Sequence, residues 1–220
     1  GGGRADCFKA VLALREARVG QRTGEHTFVP VMVDHARRRL DVAEIAARLI
    51  VESGLDAVTF RDIAREAGYS TSVVSHYFRN KRDLLLFVYR MVTERAVEDV
   101  KAALASGADL QTCLEALLPV NEGRRANWRI WFAFWSMTST DEELLAEQQR
   151  RGREARQLIE RVLRMTSASR RKHLTDEDLE MQSRRLLATV VGLATQGVHD
   201  PEDWPAERLR AVLLREIATL

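Results

Sequence analysis

The chain has 220 residues, 45% hydrophobic and 30% charged, the balance of a folded, helix-rich, soluble chain with room for a real core. Its 34 basic and 32 acidic residues leave a formal net charge of +2, so total charge selects no partner class and local placement must do so. Cys7 and Cys113 form no C-x-x-C motif, and no apolar run approaches the length of a membrane span, which argues for free thiols in a cytoplasmic protein and excludes a disulfide scaffold and a helical membrane protein.

Only four prolines, with frequent Ala, Leu, Arg and Glu, predict an all-α fold. Residues 1–31 are Gly- and polar-rich and read as a disordered extension ahead of Met32, without the basic-then-apolar pattern of a signal peptide. Val42, Ile45, Ala46, Leu49 and Ile50 then form one helical face between Asp41 and Ser53, stopped by Gly54. Arg37, Arg38 and Arg39 stand just before that helix, either as a solvated start or as an arm reaching for phosphates or the minor groove.

The stretch from Thr59 to Lys81 is the most informative of the chain. Thr59 and Asp62 have the spacing of a capping box, Phe60, Ile63, Ala64 and Ala67 recur at helical spacing, and Gly68 sits where a helix ends in a left-handed residue. A second short helix follows the turn, with Val73, Val74 and Phe78 inward and Ser72, Ser75, His76 and Tyr77 largely outward. Two short helices about a Gly-containing turn are a helix-turn-helix, whose second helix enters the DNA major groove. With the preceding helix they make a three-helix head over residues 32–80.

The body occupies 81–220. A helix of about 25 residues starts at Lys81 and ends before Gly107; at 1.5 Å per residue it spans nearly 40 Å. A shorter helix from Asp109 is stopped by Pro119, and an aromatic helix follows, in which Trp128, Trp131, Phe132 and Trp135 share one face while Phe134 points elsewhere. Thr140 and Glu143 suggest a capping box for a charged helix running to about Met165, with a polar, basic loop from Thr166 to Lys172. The last two helices, from Thr175 to Val198 and after the turn at Pro205, are apolar on wide faces. Such faces suit a four-helix interface with a second copy, and Leu187, Val190, Val191, Leu209, Val212 and Leu213 are its candidate contacts.

The head resembles the tetracycline-repressor (TetR) family of transcriptional regulators. The resemblance rests on Thr59, Ile63, Ala64, Ala67-Gly68, Ser70, His76-Tyr77-Phe78, Asn80-Lys81 and Leu84-Leu85, in that order; Arg79 stands where many members have proline. Glu122-Gly-Arg-Arg and Trp128-x-x-Trp131-x-x-Phe134-Trp135, followed by an acid-capped helix, resemble the choline-responsive BetI-type subgroup. The resemblance implies an all-α ligand-binding and dimerisation body, and a homodimer whose two heads read successive major grooves of a palindromic operator until a small-molecule effector spreads them.

For double-stranded operator DNA, Ser70, Thr71, Ser72 and Ser75 offer short hydroxyl side chains, and residues 70–82 carry Arg79, Lys81 and Arg82 without an acidic residue among them until Asp83. The resemblance assigns Tyr77, Lys81 and the helix start at Thr59 to phosphates. Thr71, Ser72 and Ser75, joined by Arg61, are the candidates for base reading, while His76 and Tyr77 could instead pack against the first helix. Trp128, Trp131, Phe132 and Trp135 are either plain core or a ring-lined site for an effector such as a quaternary ammonium. The five histidines are scattered and neither a phosphate loop nor a hydrolase motif is present, so no enzyme, cofactor or metal is expected. A helical interaction protein that keeps this fold without DNA recognition is the competing class, against which the cationic stretch 79–82 argues.

Overall fold

The computed structural model describes residues 31–169 and 174–220. The expected N-terminal extension lies outside the described residues except for its last position, and so do the final residues of the expected 166–172 loop. Nine α-helices are present among the described residues: α1 (Val31–Ser53), α2 (Phe60–Ala67), α3 (Thr71–Tyr77), α4 (Lys81–Ala105), α5 (Leu110–Glu115), α6 (Glu122–Met137), α7 (Glu142–Ser169), α8 (Asp176–His199) and α9 (Ala206–Ile217). They fall into two compact units that divide between Leu84 and Leu85.

In the first unit, α1 begins ten residues earlier than the sequence pattern suggests. Pro30 precedes it and no Gly or Pro interrupts the next 23 residues, so nothing breaks the helix before Asp41. The three arginines therefore lie inside α1 rather than ahead of it. Arg37 and Arg38 are exposed, while the Arg39 guanidinium sits 5.0 Å over the ring of buried Phe78. Val42, Ala43, Ala46 and Ile50 of α1 share a core with Ile63, Ala64, Val74 and Phe78.

The turn is built as its residues dictate. The Thr59 hydroxyl accepts from the Asp62 N–H while the Asp62 carboxylate accepts from Thr59 N–H and O–H, closing the expected capping box. Those bonds from Thr59, with Arg65 beside them, hold the Asp62 carboxyl below its ordinary value. Gly68 ends α2 at φ +67, a conformation that costs a side-chain-bearing residue more than glycine.

In the second unit, α7 and α8 pack along each other and enclose, with α5 and α9, a core in which Leu114, Ile159, Leu163, Leu186, Leu209 and Leu213 are fully buried. Two expectations shift here. The α7 cap is Asp141, whose carboxylate accepts from the N–H groups of Glu143 and Leu144 at 3.1 Å, rather than Thr140 with Glu143. The helix also continues past Met165 to Ser169, with the Thr166 hydroxyl donating back to Val162 O instead of opening a loop.

The third shift concerns the terminal helices. Val190, Leu209 and Leu213 are at most 1% exposed; they fill the protomer's own core and have no surface to offer a second copy. Leu187, Val191 and Val212 are half-buried against that core. The outward side of α8 carries Met181, Ala188 and Gly192, and Leu214 is exposed on α9.

Gly197 marks the tightest approach in this core. A β-carbon there would lie 2.9 Å from Leu209 Cδ1 and 3.1 Å from Pro119 Cγ, and Leu209 is itself fully buried and cannot swing aside. Gly197→Val is expected to destabilise the body by about 1–3 kcal/mol, read as a lower urea midpoint; an unchanged midpoint would show that the core yields at this point.

Candidate functional site

The helix-turn-helix presents a polar, open surface. Ser70, Thr71, Ser72, Ser75 and His76 are exposed, as are Thr59 and Arg61, while Tyr77 and Lys81 are half-buried. Inward-facing Val74 and Phe78 fix α3 to the head core, and Val73 and Tyr77 of this seven-residue helix are half-buried, so that its exposed positions are Thr71, Ser72, Ser75 and His76. The Ser70 and Ser72 hydroxyls lie 2.7 Å apart, and the Ser70 side chain makes no capping bond. Lys81 Nζ donates to Asp56 O at 3.2 Å, which steadies its stem within reach of the surface. Arg79 lies 3.7 Å from Asp83, an exposed pair worth little against a phosphate.

His76 and Tyr77 do both things considered for them. They stand on the open side of α3 and also pack on α1, through a residue that sequence reasoning passed over. His35 Nε2 is 2.9 Å from His76 Nε2, and the His35 ring stands edge-on to those of Tyr77 and His76 at 4.7 and 5.0 Å. Nothing local in the sequence marks this contact, because its partners are 41 positions apart and His35 precedes the expected start of the helix.

The aromatic helix α6 is capped by Asn121, whose side chain accepts from Arg124 N–H at 2.9 Å. Its three tryptophans each donate the indole N–H inward. Trp128 donates to Leu117 O at 2.8 Å, Trp131 to the Thr93 hydroxyl at 3.1 Å, and Trp135 to Gln148 Oε1 at 2.6 Å. Trp128 is only 4% exposed and edge-on to Trp131 and Trp135; of the two readings open to it, its burial matches the core one. Trp131, Phe132 and Trp135 are half-buried, with Phe132 against Trp135 at 5.6 Å and against His199 at 5.5 Å. Phe134, on the other side of α6, is fully buried and stacked on Tyr89 at 3.8 Å.

Behind this face lies a polar layer between α4 and α7. Tyr89 donates to the same Gln148 Oε1 at 2.5 Å, and burial pushes its phenol up to about 12, so it stays protonated. Buried Glu147 accepts two bonds from Arg90, at 3.0 and 2.9 Å, and further bonds from Arg150 and Arg151. Burial alone would raise the Glu147 carboxyl, but these hydrogen bonds and the charges of Arg90 and Arg150 bring it down to about 2. Among the described residues, no three His, Cys, Asp or Glu side chains are grouped to hold a metal ion, and no helix is long and apolar enough to cross a membrane.

A helix-turn-helix with its hydroxyl-rich face open, on a chain whose remainder is a helical body with a ring-bearing face, defines a DNA-binding transcriptional regulator rather than an enzyme. The family model for bacterial regulatory proteins of the tetR family matches residues 43–88, and that for the BetI-type transcriptional repressor, C-terminal domain, matches residues 90–220. The chain belongs to the TetR family of transcriptional regulators and has a body of the BetI type. It is 29% identical over 198 residues to the transcriptional regulator PksA of Bacillus subtilis, spanning 87% of this chain and 94% of that one. It is 31% identical over 163 residues to BetI of Escherichia coli, spanning 71% and 80%. Among solved structures, a transcriptional regulator of Rhodococcus superposes with a TM-score of 0.71 at 25% identity, covering 82% of this chain and 94% of that one. One from Saccharomonospora viridis, in complex with choline, superposes with a TM-score of 0.73 at 24% identity, covering 83% and 96%.

Proposed function

We propose that the protein is a repressor that binds a palindromic operator as a homodimer and is released by a small cation of the quaternary ammonium type, choline being the first to test. The observation that carries the effector class is the state of the α6 indoles. With all three N–H donors spent inside the protein, the half-buried rings of Trp131, Phe132 and Trp135 offer π faces and no free donor. Such faces suit a cation that needs no hydrogen bond. The choline bound by the Saccharomonospora viridis relative supports the same class. Titrating choline, betaine aldehyde and an uncharged apolar compound against tryptophan fluorescence tests it; a response to the apolar compound alone, or to none, removes the cation from the reading.

On the DNA side, Thr71, Ser72 and Ser75 are the base-reading candidates with Arg61, and Thr59, Ser70, His76, Tyr77 and Lys81 position the head on the backbone. Lys81→Ala is expected to weaken binding to all sequences alike and to flatten the salt dependence by about one unit for each bound copy. Thr71→Ala should change operator preference at nearly unchanged salt dependence. Gel-shift titrations across a salt series separate the two effects, and an unaltered affinity of the Lys81 variant at moderate salt would refute its assignment.

The second copy is held, in this reading, on the outward sides of α8 and α9, where Met181 and Leu214 are 60% and 49% exposed. Ala188 and Gly192, exposed on α8 as well, leave room for a helix to approach closely.

A further inference from the structure

We propose that His35 of α1 is a positioning residue for DNA binding: it fixes which nitrogen of His76 carries the hydrogen offered to a phosphate, and it holds the His76 and Tyr77 rings in place. The proposal rests on the assignment of His76 and Tyr77 to the DNA surface. Its basis is the pair of imidazole nitrogens 2.9 Å apart and the three rings in mutual edge contact at 4.7, 5.0 and 5.5 Å.

Two facing nitrogens at that distance share one hydrogen, so one ring donates from Nε2 and the other accepts. A phosphate has only acceptors. For a neutral His76 to serve it, the hydrogen must sit on His76 Nδ1, which makes its Nε2 the acceptor and His35 the donor. The tautomer of a histidine is set by the bond its other nitrogen makes, and here that bond comes from another helix. His35 and His76 are both exposed, so the pair lies at the surface of the head and is not a core contact. On the same helix, Arg38 and Arg39 follow His35 by three and four residues.

His35→Phe keeps an aromatic ring beside Tyr77 and removes the donor; His35→Gln restores a side-chain N–H. Operator binding by the full chain is measured by gel shift across a salt series, with thermal unfolding as control and His76→Ala as reference. The expected result for His35→Phe is a loss of roughly threefold to tenfold in affinity for each bound copy, the scale of one hydrogen bond, with the salt slope unchanged, because a neutral imidazole releases no counterion from the DNA, and with an unchanged melting temperature. His35→Gln should return the affinity to within about twofold of wild type. If His76→Ala weakens binding and His35→Phe does not, if His35→Phe changes the salt slope, or if His35→Gln restores none of the lost affinity, the positioning role is refuted. If His76→Ala itself binds like wild type, the fault lies in the DNA assignment of His76, and the proposal falls with it.

Discussion

Arginine in place of Gly192 is expected to leave the protomer folded and to remove most of its hold on operator DNA. A side chain begun at Gly192 meets no atom within 4 Å, so the protomer accommodates it, and replacing glycine inside a helix is itself favourable. Across a two-fold axis, however, each copy would project a bulky cation at the other where two helices need to come close. A lone head binds weakly because its surface is small and its cationic groups few. Linking two heads raises apparent affinity by about 10²–10⁴ without any new contact, and the substitution should forfeit that gain. Sedimentation equilibrium should show a monomer, and gel shifts should show weakened binding with the head's melting behaviour intact. A dimeric Gly192→Arg protein with wild-type affinity would place the interface elsewhere.

The second large effect is on acid stability, and it centres on Glu147. Its carboxyl titrates at about 2 in the folded chain, against an ordinary 4.5. A group whose pKa is depressed by folding stabilises the fold fully above its unfolded value, and that contribution disappears as the pH falls through the folded one. The loss therefore runs from about pH 4.5 down to about pH 2. Its size is roughly 2–3 kcal/mol, since water reaches Arg90 and Arg150 and screens part of the interaction. Glu147→Gln should show the deficit already at pH 7 and a flatter stability curve below pH 4.5. Urea unfolding at pH 7 and pH 3 measures both, and parallel curves for the two proteins would refute the attribution to this residue.

Much of the head was legible because its rules are local. A capping box, a left-handed glycine and alternating inward residues each act within four positions, and the turn forms where they coincide. The missed start of α1 has the same origin: helix-forming residues without a stop signal extend a helix whether or not they bury anything. The His35 contact was illegible because only the tertiary fold brings α1 to α3. The α7 cap was misplaced by one residue because Thr140 and Asp141 are both capable caps, and the choice depends on where the preceding turn releases the chain. Periodicity marked the apolar faces of α8 and α9 but could not say whose core they fill; Val190, Leu209 and Leu213 serve their own. Trp128 shows the same limit, since a ring pattern alone does not separate a wall from a foundation.

The inward anchoring of the α6 indoles also makes the protein a ready optical instrument. Trp128, Trp131 and Trp135 are held by a carbonyl, a hydroxyl and an amide oxygen, three acceptors of different strength, and only Trp128 is sealed from solvent. Their emission should therefore be spread in wavelength and lifetime, the shielded ring quenched least by added iodide or acrylamide. With Trp204 replaced by phenylalanine as background, replacing Trp131 and Trp135 singly in the same way would assign each component, so that an effector's arrival can be followed ring by ring without a label.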